Sequence, residues 1–183
     1  MIFTETKLKG AFEIEIKKIG DERGFFGRSW CKKEMEEVGL NVNIAQINTS
    51  LSKDKGTLRG AHYQFSPHQE CKMIRCTRGA IFDFIVDIRP ESPTFLEWYG
   101  AILNQDNHKA LYSPEGFAQG FITLEDNTEI TYFTSEFYSP GGDWGVRYND
   151  PQIGIKLPIQ PVVISEKDKN WPDFTIDFLK KQN

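Results

Sequence analysis

Apolar and polar positions alternate with a period of two along much of the chain. Phe12, Ile14 and Ile16 interleave with Glu13 and Glu15, the pattern of a half-buried strand. The loop GDERGFFG follows over 20–27, and then KKEMEEVG, charged helix formers that stop at Gly39 as a short surface helix would. Beyond this point short runs rich in β-branched and aromatic residues dominate: NVNIAQINTS, CKMIRC, AIFDFIVDI, FLEWYGAIL, HKALYS, FAQGFITL and EITYFTSEFY. Gly, Pro, Asn or Asp punctuate the loops between them. Strands at spacings of roughly ten residues, with no long helical period, predict an all-β sandwich or barrel such as a jelly roll, with a few short peripheral helices. Pro158, Pro161 and Pro172 break up the tail, which ends in the amphipathic DFTIDFLKK and is expected to wrap the barrel.

Composition narrows the class. The 183 residues fit one domain, 1–183, and the 39% apolar share, with 14 Phe, 6 Tyr and 4 Trp, is that of a folded, aromatic-rich protein. A net charge of -4 argues against nucleic acid as a partner but leaves room for local phosphate binding. No run resembles a signal peptide or approaches the roughly 20 apolar residues of a membrane span, so a cytoplasmic protein with no membrane partner is expected. Cys31, Cys71 and Cys76 fit neither a zinc motif nor a disulfide framework and read as reduced structural thiols.

The densest chemistry is in Lys55 to Gln64, KGTLRGAHYQ. Alternation puts His62 and Gln64 on one strand face and Ala61 and Tyr63 on the other, so His62 is either a base in a cavity or a histidine satisfied within the core. Arg59 lies three residues before it, and Lys72 opens the next strand toward the same space. A metal centre is disfavoured, because Gln64 and Gln119 (in PEGFAQ, 114–119) stand where a metal-binding cupin has histidines, leaving His62, His68 and His108. The alternative is metal-free acid and base chemistry, with His62 as base, a carboxylate such as Asp168 to orient it, and Tyr132 as a second proton source.

These residues and the ordered motifs DERGFF, QINTSLS, KGTLRGAHYQ, KMIRCTRGAIFDFIVDIRPESPTF, PEGFAQGF, YND-PQIGI and SEKD resemble the dTDP-4-dehydrorhamnose 3,5-epimerase family over nearly the whole chain. The resemblance implies a cofactor-free, metal-free cupin-like jelly roll that forms a homodimer and inverts sugar carbons flanking a 4-keto group. It implies His62 with Asp168 as the base dyad, Tyr132 as the opposing acid and Lys72 as the cation beside the enolate. Arg23, Gln46, Asn48 and Arg59 match positions that hold nucleotide and diphosphate, Tyr138 matches an aromatic that stacks on the base, and Asp143 and Lys167 match further substrate contacts.

Asp143 is a shortened carboxylate where the family usually has Glu, and two further departures matter more. Arg28 stands where a nucleotide-pocket glutamate is usual, and a donor there would suit cytosine better than thymine. Gln119 replaces a histidine beside the sugar and cannot titrate near neutral pH. The expected function is therefore inversion of C3, C5 or both in a dTDP-4-keto-6-deoxyhexose. The alternative is a 5-epimerase of a CDP-4-keto-3,6-dideoxyhexose, with a ketoisomerase or a non-catalytic sugar-binding jelly roll as more distant readings.

Overall fold

The computed structural model describes residues 1–180. Two antiparallel sheets face each other. Strands β1 (Ile2–Glu5), β2 (Phe12–Glu15), β5 (Gln46–Ser52), β7 (Lys72–Arg78), β10 (Ala110–Ser113) and β12 (Thr128–Thr134) make the first, in the order β1-β2-β10-β7-β12-β5. The second has the order β13-β6-β11-β8-β9, from β6 (Thr57–Gln64), β8 (Ala80–Asp87), β9 (Trp98–Asn104), β11 (Phe117–Thr123) and β13 (Asp143–Gly145). A short β14 (Val163–Ile164) runs parallel to β6. The architecture is the expected all-β jelly roll, with three short helices among the described residues: α1 (Lys32–Glu37), α2 (Glu166–Lys169) and α3 (Asp177–Lys180).

Three apolar layers hold the sheets. Ile74, Cys76, Leu111 and Ile130 from the first sheet meet Ile81, Ile85, Leu103, Phe117 and Phe121 from the second, forming the interior. Behind the second sheet lie Ala61, Tyr63, Phe84, Val86, Val146 and Phe174. Strand β8 is thus covered on both faces, so AIFDFIVD reads as a continuous apolar run instead of an alternating one. Behind the first sheet, Ile14, Met35, Met73, Ala110 and Tyr112 form a third layer. Met35 is the reason α1 is more than a solvated piece: one residue of the charged helix is buried and pins it to the sheet. The helix stops as expected, with Gly39 at φ +75 and its N–H donating to Glu36 O at 3.0 Å.

Several expected boundaries move. NVNIA and FLE lie outside β5 and β9, and β12 ends before EFY, because cross-strand partners begin and end at Gln46, Trp98 and Thr134. The segment 20–27, read as a loop, holds all but Ile19 of a two-stranded ribbon, β3 (Ile19–Asp21) with β4 (Gly24–Phe26), projecting into solvent. The tail does wrap the barrel: β14 pairs with Thr57 and Leu58, and Trp171 and Phe174 are buried. Its expected amphipathic end runs to Lys181, outside the described residues.

Candidate active site

A cleft opens between the two sheets in two chambers. The inner one, of about 520 Å³, is lined by Arg59, His62, Lys72, Gln119, Tyr132, Ser165 and Asp168 among others. The outer one, of about 290 Å³, is lined by Gln46, Asn48, Gln64, Glu70, Tyr138 and Asp143. His62, Lys72 and Tyr132 line both, so these three stand where the chambers join. His62 belongs to the second sheet, Lys72 and Tyr132 to the first, which sets the base candidate and the acid candidate on facing walls.

The wall that carries His62 is built around a bulge. On β11, Gln119 pairs with His62 and Phe121 with Arg59, so β6 spends one residue more than its partner. In a regular strand, residues three apart point to opposite faces; the extra residue brings Arg59 and His62 into the same chamber. Gly60 makes this fit, at φ +101, since an added Cβ would stand 2.7 Å from Gly120 Cα and 2.8 Å from Gln119 O.

Asp168 arrives from the tail. Ser165 caps α2, its Oγ accepting from Asp168 N at 3.0 Å, and this turn points the carboxylate at β6. Asp168 Oδ1 lies 2.5 Å from His62 Nε2, while Oδ2 accepts from Gly60 N at 3.3 Å. Trp171 Nε1 donates to the same Oδ1 at 3.4 Å. Burial alone would raise the Asp168 carboxyl, but the hydrogen bond and charge of His62, with Gly60 N–H and Ser165, outweigh it and hold the carboxyl below its usual range. In the neutral ring an ionised Asp168, which can only accept, keeps the proton on Nε2, so that Nδ1 is the nitrogen with a free lone pair.

On the facing wall, Lys72 Nζ donates to His62 O at 3.2 Å and to Glu70 Oε1 at 2.9 Å. Burial, and then the nearby Glu70 carboxylate, raise the Tyr132 hydroxyl above the ordinary phenol range, with Arg59 opposing them. The group is an acid at neutral pH, able to give a proton from the side opposite His62.

Gln119 closes the floor. Its Oε1 accepts from Ser113 Oγ at 2.7 Å and its Nε2 donates to Asp83 Oδ2 at 2.8 Å. Asp83 is fully buried, with Oδ1 lacking a partner among the described residues, and burial raises its carboxyl well above the usual range despite Gln119 and Lys72. Gln64 is equally committed, donating to His68 O and Phe137 O and accepting from Ser139 N. Among the described residues no three His, Cys, Asp or Glu side chains converge as metal ligands would.

The structure brings ten of the sequence-derived candidates to the cleft: His62, Asp168, Tyr132, Lys72, Arg59, Gln46, Asn48, Gln119, Tyr138 and Asp143. Tyr138 donates from its hydroxyl to Asp143 Oδ1 at 3.1 Å and from its N–H to Gln46 Oε1 at 3.0 Å, which closes one rim of the outer chamber. Lys167 lies behind that rim, paired with Asp143 and over the Trp171 ring, and lines neither chamber. Arg23 and Arg28 also stay out of the cleft of their own chain. Arg23 bonds Asp21 on the ribbon and is 83% exposed; Arg28 pairs with Glu34 at 2.5 Å. Sequence reasoning missed Glu70, Ser113, Asp83 and Ser165, isolated polar residues with no pattern around them until the fold collects them.

Known proteins resemble this chain throughout its length. The family model described as dTDP-4-dehydrorhamnose 3,5-epimerase matches residues 5–175. The dTDP-4-dehydrorhamnose 3,5-epimerase of Shigella flexneri is 44% identical over 171 residues, 93% of this chain and 94% of that protein. The crystal structure of the same-named enzyme from Bacillus anthracis, with TDP and pyrophosphate bound, is 42% identical and superposes with a TM-score of 0.90 over 94% of this chain and 99% of that one. The dTDP-6-deoxy-D-glucose-3,5-epimerase of Legionella pneumophila, in complex with dTDP-4-keto-L-rhamnose, is 39% identical with a TM-score of 0.85, over 91% of this chain and 89% of that one. An extended match to the family model, close relatives of the same length and the jelly-roll superposition agree: this chain is an isomerase of the dTDP-4-dehydrorhamnose 3,5-epimerase family.

Proposed function

We infer that the chain, as one domain over 1–183, inverts C3, C5 or both in a dTDP-4-keto-6-deoxyhexose. The observation that carries this reading is the His62–Asp168 pair, at 2.5 Å, facing Tyr132 across the junction of two chambers. A proton on a carbon next to a ketone is removable because the resulting charge spreads onto the ketone oxygen. His62 Nδ1 takes that proton, Lys72 stabilises the enolate, and Tyr132 returns a proton to the other face, so the carbon leaves with inverted configuration. Both walls recover by exchange with water.

The chamber sizes fit a sugar in the inner space and a nucleotide at the rim formed by Gln46, Asn48, Tyr138 and Asp143. The dTDP ligands of the relatives favour thymidine. The same ligands leave the cytidine alternative not favoured.

The remaining basic candidates support a homodimer. Arg23 and Arg28 sit on or beside a ribbon that exposes Ile19 and Phe26 to 66% and 69%, and a second copy would both cover those side chains and receive the arginines at its own cleft. No helix among the described residues is long and apolar enough to cross a membrane, and we place the enzyme in the cytoplasm. Incubation with dTDP-4-keto-6-deoxyglucose in D2O, followed by proton NMR, tests the activity. Deuterium is expected at ring carbons flanking the ketone, with the signals identifying C3, C5 or both; a spectrum without exchange would overturn the reading.

A further inference from the structure

Three carboxylates line the cleft among the described residues, and two have evident partners. Asp168 holds His62, and Asp143 is tied to Lys167 and Tyr138. The third, Glu70, precedes β7 and sits two residues before Lys72, with Oε1 at 2.9 Å from Nζ. Both side chains are sequestered, Glu70 at 9% and Lys72 at 15% exposed, so the contact is shielded from the solvent that weakens surface ion pairs.

An ammonium carries three N–H donors on a long flexible stem. Here His62 O takes one and Glu70 takes another, which leaves one for the space shared by the two chambers. On the reading that this cleft enolises a keto sugar, we propose that Glu70 is a positioning residue of the reaction, clamping the Lys72 ammonium so that its one uncommitted N–H meets the carbonyl oxygen as charge develops there. The cation helps only if it already stands where the oxyanion forms, because reorganising it during the reaction would consume the stabilisation it provides. Glu70 acts on the rate through Lys72, and its charge bears on the pH profile through Tyr132, which lines the same outer chamber. The groups bearing on the Tyr132 hydroxyl are Glu70 and Arg59, with Lys72 and His62 sharing its chamber walls.

The test compares Glu70→Gln and Glu70→Ala with the wild type, reading deuterium uptake into dTDP-4-keto-6-deoxyglucose across pH. Retention of the dTDP-induced rise in melting temperature establishes that each variant is folded and binds nucleotide. Glu70→Ala is expected to lower kcat by about 10- to 100-fold, the range for a displaced reacting group, while KM stays near its wild-type value. Glu70→Gln keeps an acceptor for Lys72 and should recover part of that loss. Its alkaline limb should move to lower pH, since removing the carboxylate charge lets Tyr132 ionise sooner. Combined with Lys72→Met, Glu70→Ala should cause no further fall in kcat, because the cation it positions is gone. Unchanged rate and pH profile in both single variants, or an equal loss with and without Lys72, overturns the clamp. Absence of exchange in the wild-type protein instead strikes the epimerase reading on which the clamp rests.

Discussion

The cleft and the β3–β4 ribbon both carry aromatic and charged residues, and they use them in opposite ways. In the cleft, three polar side chains are held from elsewhere in the fold: His62 by the tail, Lys72 by the loop before its strand and by β6, Gln119 by β10 and β8. On the ribbon, Arg23 is bonded to Asp21 two residues away, and Phe26 and Ile19 face solvent. Phe25 leans on His108, with ring centroids 5.0 Å apart, and on Lys18, whose Nζ stands 4.7 Å from the ring centroid. The difference teaches that the proposed proton chemistry draws on groups collected within one chain, whereas Arg23, a proposed nucleotide contact, lies on an element outside that chain's own cleft.

The largest way to break this division is at the base. His62→Ala should cut deuterium exchange by about 10²- to 10⁴-fold, the usual worth of a general base. Tyr132→Phe should separate the two walls, keeping exchange from the His62 side while inverted product disappears; equal loss of both would place exchange and inversion under one residue. A smaller effect is expected on the ribbon. Arg23→Ala should raise KM for the dTDP sugar by roughly 10- to 100-fold, the cost of one hydrogen bond to a charged group, with kcat little changed. An unaltered KM would mean that the ribbon serves no cleft.

The smallest effect concerns stability behind the site. The Asp83 carboxyl is raised by burial, so the folded chain binds a proton there more tightly than the unfolded chain does. Its contribution is therefore fully present below the unfolded value of about 3.8 and is lost as pH rises toward the folded value. Asp83→Asn keeps an acceptor for Gln119 and carries no such penalty. Its melting temperature should exceed that of the wild type by a margin that widens from pH 5 to pH 8, at roughly 2–4 °C per kcal/mol relieved. A margin independent of pH would show that Asp83 is not held neutral.

The interior strands were legible because alternation records which face is covered. Ala61 and Tyr63 pack in the layer behind the sheet while His62 and Gln64 reach the cleft, as the period of two required, although Tyr63 also touches the outer chamber. The ribbon was not legible, because its apolar side chains face solvent within the chain and a burial pattern has nothing there to report. That Arg59 shares a chamber with His62 depends on a bulge, which a regular strand period contradicts. Asp168 is separated from His62 by 106 positions, so no local spacing links them; the chemistry asks for a carboxylate beside the base, and the family resemblance points to this one. Glu70 carried no signal of either kind; only the folded loop sets it against Lys72.

The attachment of Asp168 to the last strap of the chain gives the enzyme a temporal order. Synthesis proceeds from the N-terminus, so both sheets, the cleft and His62 itself precede Asp168 in emergence from the ribosome. The nascent protein has His62 before it has the carboxylate that pairs with it, and the same strap adds Val163, Ile164 and Ser165 to the wall of the inner chamber. Gly145 is where that order is completed, since any side chain there would meet the Trp171 indole, with a Cβ 2.1 Å from Nε1, and keep the strap from seating. The partner of His62 thus joins the cleft only when this strap, which follows both sheets in the chain, docks on β6.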